Sequence, residues 1–250
     1  MKKIIPLMVL GLSVYMLPAA FAAPVQLTGD VLVKYEKDTA SGSPDVSGTM
    51  STFRLKAETE LGDGWSLYAR LGAQHATEPE LADYNTAAYR DGKKSVIGLD
   101  QFGLNYKRDN MVYKIGRQDA TVGTTALLYS RSDSNIGRHY FVDGISAAGK
   151  VGAMDISALF AQEDNAGPDN NRIYAIRTGY SPRDDFNFGL TLGRYHYDGG
   201  ENTNHWAVDG TRSFGKHSLT AEYAKSNSSN ENKAYAATWN YNCDAKTALY

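Results

Sequence analysis

From Ser51 to Leu61 apolar and polar residues alternate strictly: Phe53, Leu55, Ala57, Thr59 and Leu61 share one parity, and Thr52, Arg54, Lys56, Glu58 and Glu60 the other. Successive side chains of an extended chain point to opposite faces, so the pattern predicts a strand with one apolar and one wet face. Trp65, Leu67, Ala69, Leu71 and Ala73 repeat it against Ser66, Tyr68, Arg70, Gly72 and Gln74. Only Gly62-Asp63-Gly64 separates the two runs, which reads as a tight hairpin turn. The same form recurs at Phe186-Phe188-Leu190-Leu192, at Leu219-Ala221-Tyr223 and at Tyr235-Ala237-Trp239-Tyr241.

Extended along the chain, the pattern predicts strands near 25–36, 50–61, 65–75, 95–107, 111–118, 139–149, 152–162, 171–180, 186–197, 204–214, 217–226 and 233–242, with a thirteenth starting at Lys246. Short turns at 62–64, 108–110, 150–151, 181–185, 215–216 and 243–245 alternate with longer polar connections at 37–49, 76–94, 119–138, 163–170, 198–203 and 227–232. This alternation predicts an all-β fold, a transmembrane antiparallel up-and-down β-barrel with short turns at one rim and long loops at the other. A thirteenth strand cut off at Tyr250 leaves an odd count and an unpaired edge. The expectation is therefore a fragment, incomplete at its C-terminus, of a barrel of about 16 strands.

The start of the chain reads as an address. Lys2 and Lys3 precede the apolar stretch Ile4–Leu17, and Ala20-Phe21-Ala22 offers a small-x-small cleavage pattern. Residues 1–22 are expected to be a signal peptide and 23–250 the barrel domain. Beyond that stretch no run is long and apolar enough for a membrane helix. The mean hydropathy of −0.44 is no argument against a membrane barrel, whose lipid-facing residues are averaged with the polar ones between them. With 26 basic and 28 acidic residues, no basic surplus points to nucleic acid. The single Cys243 excludes an internal disulfide.

Val96-Ile97-Gly98-Leu99, Phe102-Gly103-Leu104, a turn at Arg108-Asp109-Asn110 and Tyr113-Lys114-Ile115-Gly116-Arg117-Gln118 together resemble the Gram-negative general-diffusion porin family. Phe53-Arg54-Leu55-Lys56 with Glu58, Leu61-Gly62, Gly64 and Trp65 is similar to that family's first hairpin, and Cys243–Tyr250 to one of its strand entries. The resemblance implies an outer-membrane, water-filled channel for passive diffusion of ions and small hydrophilic solutes. It further implies a homotrimer in outer-membrane lipid, with no cofactor, no metal and no catalysis. It places the third long loop inside the pore, opposite basic residues of the wall.

That loop would be 119–138, carrying Asp119, Arg131, Asp133 and Arg138. Parity nominates Lys34, Arg54, Lys56, Arg70, Lys114 and Arg177 as wall residues. Arg117 joins them only if a bulge after Gly116 turns it inward, because it otherwise shares the apolar parity of Met111, Tyr113 and Ile115. Asp100 conflicts with the parity of Val96, Phe102 and Tyr106. Tyr35, Trp65, Tyr106, Tyr180, Trp206, Phe214, Trp239 and Tyr241 fall near strand ends, as an interfacial girdle requires.

Other readings remain open. An adhesive or structural envelope barrel is compatible with loops such as 76–94. A barrel enzyme needs a nucleophile held beside a histidine, and none of His75, His139, His196, His205 or His217 has such a neighbour in sequence. A soluble β-protein would bury the Phe53-Leu55 and Leu190-Leu192 faces together in a dry core. Asp164, Asn165, Asp169 and Asn170 lack the ligand spacing of a dedicated calcium loop.

Overall fold

The computed structural model describes residues 23–39, 44–78, 94–125, 127–131, 136, 141–163, 170–228, 232–242 and 248–249. The signal segment, Asp133 and Arg138, the candidate calcium-loop residues Asp164, Asn165 and Asp169, and Cys243 lie outside them.

The strands are β1 (Gln26–Asp38), β2 (Val46–Gly62), β3 (Trp65–Ala76), β4 (Ser95–Arg108), β5 (Met111–Gln118), β6 (Ala120–Val122), β7 (Tyr129–Arg131), β8 (Val142–Val151), β9 (Met154–Glu163), β10 (Arg172–Arg183), β11 (Phe186–His196), β12 (Thr203–Phe214), β13 (His217–Ser226), β14 (Lys233–Asn242) and β15 (Ala248–Leu249). All but β6 and β7 form one antiparallel sheet in chain order. Short turns and long connections alternate, so each strand has a turn end and a loop end. Two elements were not anticipated: β6 and β7 pair as a small separate hairpin within the loop expected at 119–138. Nor is the sheet closed; among the described residues β1 and β15 are free edges.

The sheet is strongly staggered. One row of direct cross-strand partners runs Trp65, Tyr106, Tyr113, Ala147, Ala158, Ile176, Leu192, Trp206, Lys225, Lys233. It begins at the turn end of β3 and leaves at the loop end of β14, so the strands slip by a whole strand length across the sheet. Tilted strands with a cumulative register shift are the geometry that barrel closure demands.

Burial is inverted relative to a water-soluble protein. Ile97, Leu99, Phe160, Leu192 and Trp239 are exposed, whereas Thr52, Arg70, Asp100, Gln118, Thr191, Asp209 and Glu222 are buried. The apolar face is therefore the outer one and demands an apolar medium. At the turn ends it carries stacked rings: Trp65 on Tyr106, and His217 among Phe214, Trp239 and Tyr241. The opposite, inner face carries β6 and β7. Ala120 and Val122 pack there on Val142, Ala161 and Ile173, the largest apolar cluster of buried residues among those described.

The inner face makes room for this packing with small residues. Gly103, Gly116, Gly144 and Ala161 are successive cross-strand partners, forming a shallow trough beside Tyr68. Tyr68 is almost fully buried, opposite Gly103, and its hydroxyl donates to the Arg117 carbonyl at 3.0 Å. A Cβ on Gly103 would run into the Ile115 carbonyl oxygen and the Tyr68 hydroxyl. Gly103→Val should therefore destabilise the folded state by about 1–3 kcal/mol. Denaturant titration of the two proteins in the same detergent checks this; an unchanged midpoint would refute the trough.

Candidate functional site

The inner face of β1–β5 carries the predicted wall cations. Lys34, Arg54, Lys56, Arg70 and Lys114 all lie on it, and Arg177 lies on the inner face of β10. Each of five cations is held by a carboxylate. Arg54 grips Asp30 through Nε at 3.0 Å and Nη2 at 2.6 Å. Lys56 meets Glu58 at 3.0 Å, Lys114 meets Asp119 at 2.9 Å, and Arg177 holds Asp209 through Nε at 3.0 Å. Two-point Arg–carboxylate contacts fix the guanidinium plane as well as its position.

Arg70 and Asp100 explain the parity conflict in β4. Arg70 pairs with Gln101 while its neighbour Leu71 pairs with Leu99, so Asp100 is the extra residue of a β-bulge. The bulge shifts the alternation by one residue. Ile97 and Leu99 point outward before it, Phe102, Leu104 and Tyr106 after it, and Asp100 itself turns inward. There its carboxylate receives Arg70 Nε at 2.8 Å and Nη2 at 2.9 Å, with the two side chains 6% and 1% exposed. The Phe141 ring covers the Arg70 guanidinium 4.9 Å away.

Arg117 is different. No register shift interrupts β5, and Arg117 pairs with Phe102 and Asp143 on the outer face. Its guanidinium binds the Asp143 carboxylate at 3.0 and 2.6 Å and lies 5.9 Å from the Phe102 ring centroid. The inward position allowed for it by a bulge is not adopted. Gly116, at a φ of 125°, instead brings two backbones close together.

The β6–β7 hairpin is fixed at both ends. At its base Glu163, buried at the loop end of β9, accepts from Tyr129 and Tyr195 hydroxyls at 2.8 Å each, from Asn171 at 3.1 Å and from Arg131 at 2.9 Å. Burial and the Glu163 charge push the Tyr129 hydroxyl well above its usual titration range, so it stays a donor. At its tip the Thr125 amide and hydroxyl donate to Glu222 Oε2 on β13, at 2.7 and 2.6 Å. Gly123 makes this approach possible, for it has a φ of 90° and any Cβ would strike the Glu222 carboxylate. The segment after β5 thus reaches from one side of the sheet to the other, and buried Ile136 sits against Gly72 on β3.

The inner faces carry both signs, interleaved in pairs. Those of β9, β12 and β13 present Asp155, Glu163, Asp209 and Glu222, with Arg131 on Glu163 and Arg177 on Asp209, while those of β2, β3 and β5 present Arg54, Lys56, Arg70 and Lys114 beside Asp30, Glu58, Asp100 and Asp119. Sequence reasoning expected the acids on the loop and missed those on the wall. The signal was there: Asp209 and Glu222 are out of phase with Trp206-Val208 and Ala221-Tyr223. Among the described residues no group of three His, Cys, Asp or Glu is placed to hold a metal ion.

No protein-family model matches the chain, and no curated protein matches it. Among solved structures it is similar to Salmonella typhi OmpF in complex with daunomycin, at 12% identity and a TM-score of 0.45 over 89% of this chain and 87% of that one. It is also similar to two mutant forms of Rh. blastica porin, each at 10% identity and a TM-score of 0.45 over 88% of this chain and 91% of that one.

Proposed function

We propose that the chain forms a water-filled channel in the bacterial outer membrane through which ions and small hydrophilic solutes diffuse passively. The observation that carries this reading is the hairpin tied across the inner face, from Glu163 at its base to Glu222 at its tip, over a surface lined with ionised side chains of both signs. Ionised groups gathered midway along the strands on the inner face, against a largely apolar outer face, call for water on their side, since a dry interior would charge a heavy desolvation cost for them. In this reading residues 1–22 direct export, the turn ends face the periplasm and the loop ends face outside. The protein works as a homotrimer, and the outward Arg117–Asp143 pair, set in an apolar face, is covered by a neighbouring copy.

The pore residues proposed are Lys34, Arg54, Lys56, Arg70, Lys114, Asp119, Arg131 and Arg177, with Asp209 on β12 and Glu222 on β13 added. Folded protein in planar bilayers should give stable ohmic current steps, with a reversal potential in a salt gradient that reports which sign of charge dominates the lumen. Glu222→Gln keeps an acceptor for Thr125 and removes one negative charge, so the reversal potential should move toward anions. Well-folded protein that inserts and stays silent would sink the channel reading.

A further inference from the structure

The β6–β7 hairpin does not lie flat on the inner face. Beside its contacts with Val142 and Ala161, a half-enclosed cavity of about 320 Å³ opens between it and β10–β12. Val122, Leu128 and Tyr129 of the hairpin form the roof. The floor is two rows of cross-strand partners: Ile173, Tyr195 and Thr203, and, one step toward the turn ends, Ala175, Gly193 and His205. A dry apolar cavity of roughly 150 Å³ already holds a benzene ring, so this one has room for two fused rings.

Gly193 keeps the floor of this cavity low. A glycine inside a strand weakens it, and it commonly marks a bulge, a tight bend or the close approach of a backbone or a ligand. Through this position β11 pairs with β10 and β12 without a register shift, and Gly193 needs no positive φ. Other inner glycines are filled from within the protein, Gly103 by the Ile115 carbonyl and Gly189 by the Arg177 guanidinium. A Cβ on Gly193 would meet only the Tyr174 carbonyl oxygen, at 3.6 Å, so the space above it stays open. The lining also sets the charge that fits. Glu163, at the edge, is met by Tyr129, Tyr195, Asn171 and Arg131, and Arg194, of the opposite parity, turns its side chain to the outer face. With their hydroxyls committed to Glu163, Tyr129 and Tyr195 offer the cavity ring carbons. His205 supplies the directional contact: its Nε2 lies 2.8 Å from Thr203 Oγ1, which leaves Nδ1 for a ligand.

We infer that the cavity between the hairpin and β10–β12 binds a small uncharged aromatic molecule, of one or two fused rings with a single N–H or O–H group. The rings lie over Gly193 against Val122, Leu128 and Ile173, and the polar group donates to His205 Nδ1. Apolar walls with a few placed polar atoms are the usual make-up of a small-molecule site, and the two tyrosine rings add edge and face contacts to an aromatic ligand. A charged solute is a poorer occupant, because it would leave water for a site whose one acid is already neutralised. Water alone is poorer too, since it needs several polar partners and finds mostly aliphatic side chains. A molecule seated here wedges the hairpin against the wall. The inference concerns the cavity alone and holds whether or not the lumen conducts.

The test uses the folded full chain in detergent micelles and follows 5-fluoroindole by fluorine NMR, with uptake by empty micelles subtracted. Beside it runs 1-fluoronaphthalene, which has two fused rings and no N–H. 5-Fluoroindole should bind saturably, and roughly fivefold more tightly than 1-fluoronaphthalene, the worth of one hydrogen bond. Gly193→Leu fills the space above the floor and should abolish saturable binding. Gly98→Leu, at another glycine with open space around it but on β4, should leave binding intact. His205→Phe keeps a ring and removes the nitrogens; it should weaken 5-fluoroindole about fivefold, leave 1-fluoronaphthalene unchanged, and decide the matter where Gly193→Leu does not fold. Bound 5-fluoroindole should also slow amide exchange of residues 120–131. Uptake that never saturates, equal binding of the two probes, or binding indifferent to Gly193→Leu or to His205→Phe would each overturn the inference. Conductance of the same preparation separates it from the channel reading: a silent protein that binds 5-fluoroindole fails the channel and keeps the cavity site, and a conducting protein that binds none does the reverse.

Discussion

Glu163→Ala should detach the inner hairpin. This one carboxylate accepts from Tyr129, Tyr195, Asn171 and Arg131, drawing together β7, β9, β11 and the connection before β10. Removing it leaves a guanidinium with side-chain exposure of 22% and two phenol hydroxyls without their acceptor. Breaking such a pair from one side costs about 3–5 kcal/mol, because the remaining charge stays desolvated. The apolar contacts of Ala120 and Val122 with Val142 and Ile173 are too small to hold the hairpin against that loss. The base should open first, while the tip stays tethered at Glu222. Amide exchange of residues 120–131 should rise toward that of an unprotected loop while β8 and β9 remain protected, and single-channel current should become larger and noisier. Glu163→Gln, which keeps an acceptor and a donor, should fall between. Unchanged exchange and quiet current in Glu163→Ala would show that the hairpin is held by packing alone.

How far the fold could be read from the sequence follows from the range of each signal. Period-2 alternation is local, and it located twelve strands to within a few residues, from Phe53 and Trp65 through to Trp239. The hairpin escaped because Ala120–Val122 and Tyr129–Arg131 are three residues each, too short to establish a period. Asp100 could be seen to conflict but not to bulge: an extra residue shifts parity identically wherever it is inserted, and only pairing with β3 shows that it lies between Leu99 and Gln101. Arg117 shows the converse. Its parity pointed outward from the start, and the family resemblance pulled it inward against the better evidence. The partners of Glu163 and Glu222 were beyond any reading of one strand, for Tyr129 and Thr125 lie 34 and 97 residues away from them.

The bulge yields the sharpest test of this account, because a residue present in excess can be removed without moving the others. Asp100→Ala leaves Arg70 at 6% exposure beneath Phe141 with its carboxylate gone, and should destabilise the protein by about 3–5 kcal/mol. Deleting residue 100 altogether should leave Leu99 outward, Gln101 inward and Phe102 outward, which is regular alternation. Pairing the deletion with Arg70→Leu removes the stranded charge as well. Replacing a buried ion pair by apolar volume is often neutral, so this double variant should regain most of the loss even though its chain is shorter. Deleting Asn105, four positions beyond the bulge partner Gln101, has no such escape. It shifts the alternation of the intervening residues and sets apolar side chains toward the wet face. Denaturant midpoints of the single substitution, the double variant and the second deletion would decide it. Were the two deletions equally damaging, Asp100 would not be the extra residue, and the inward turn of its carboxylate would need another cause.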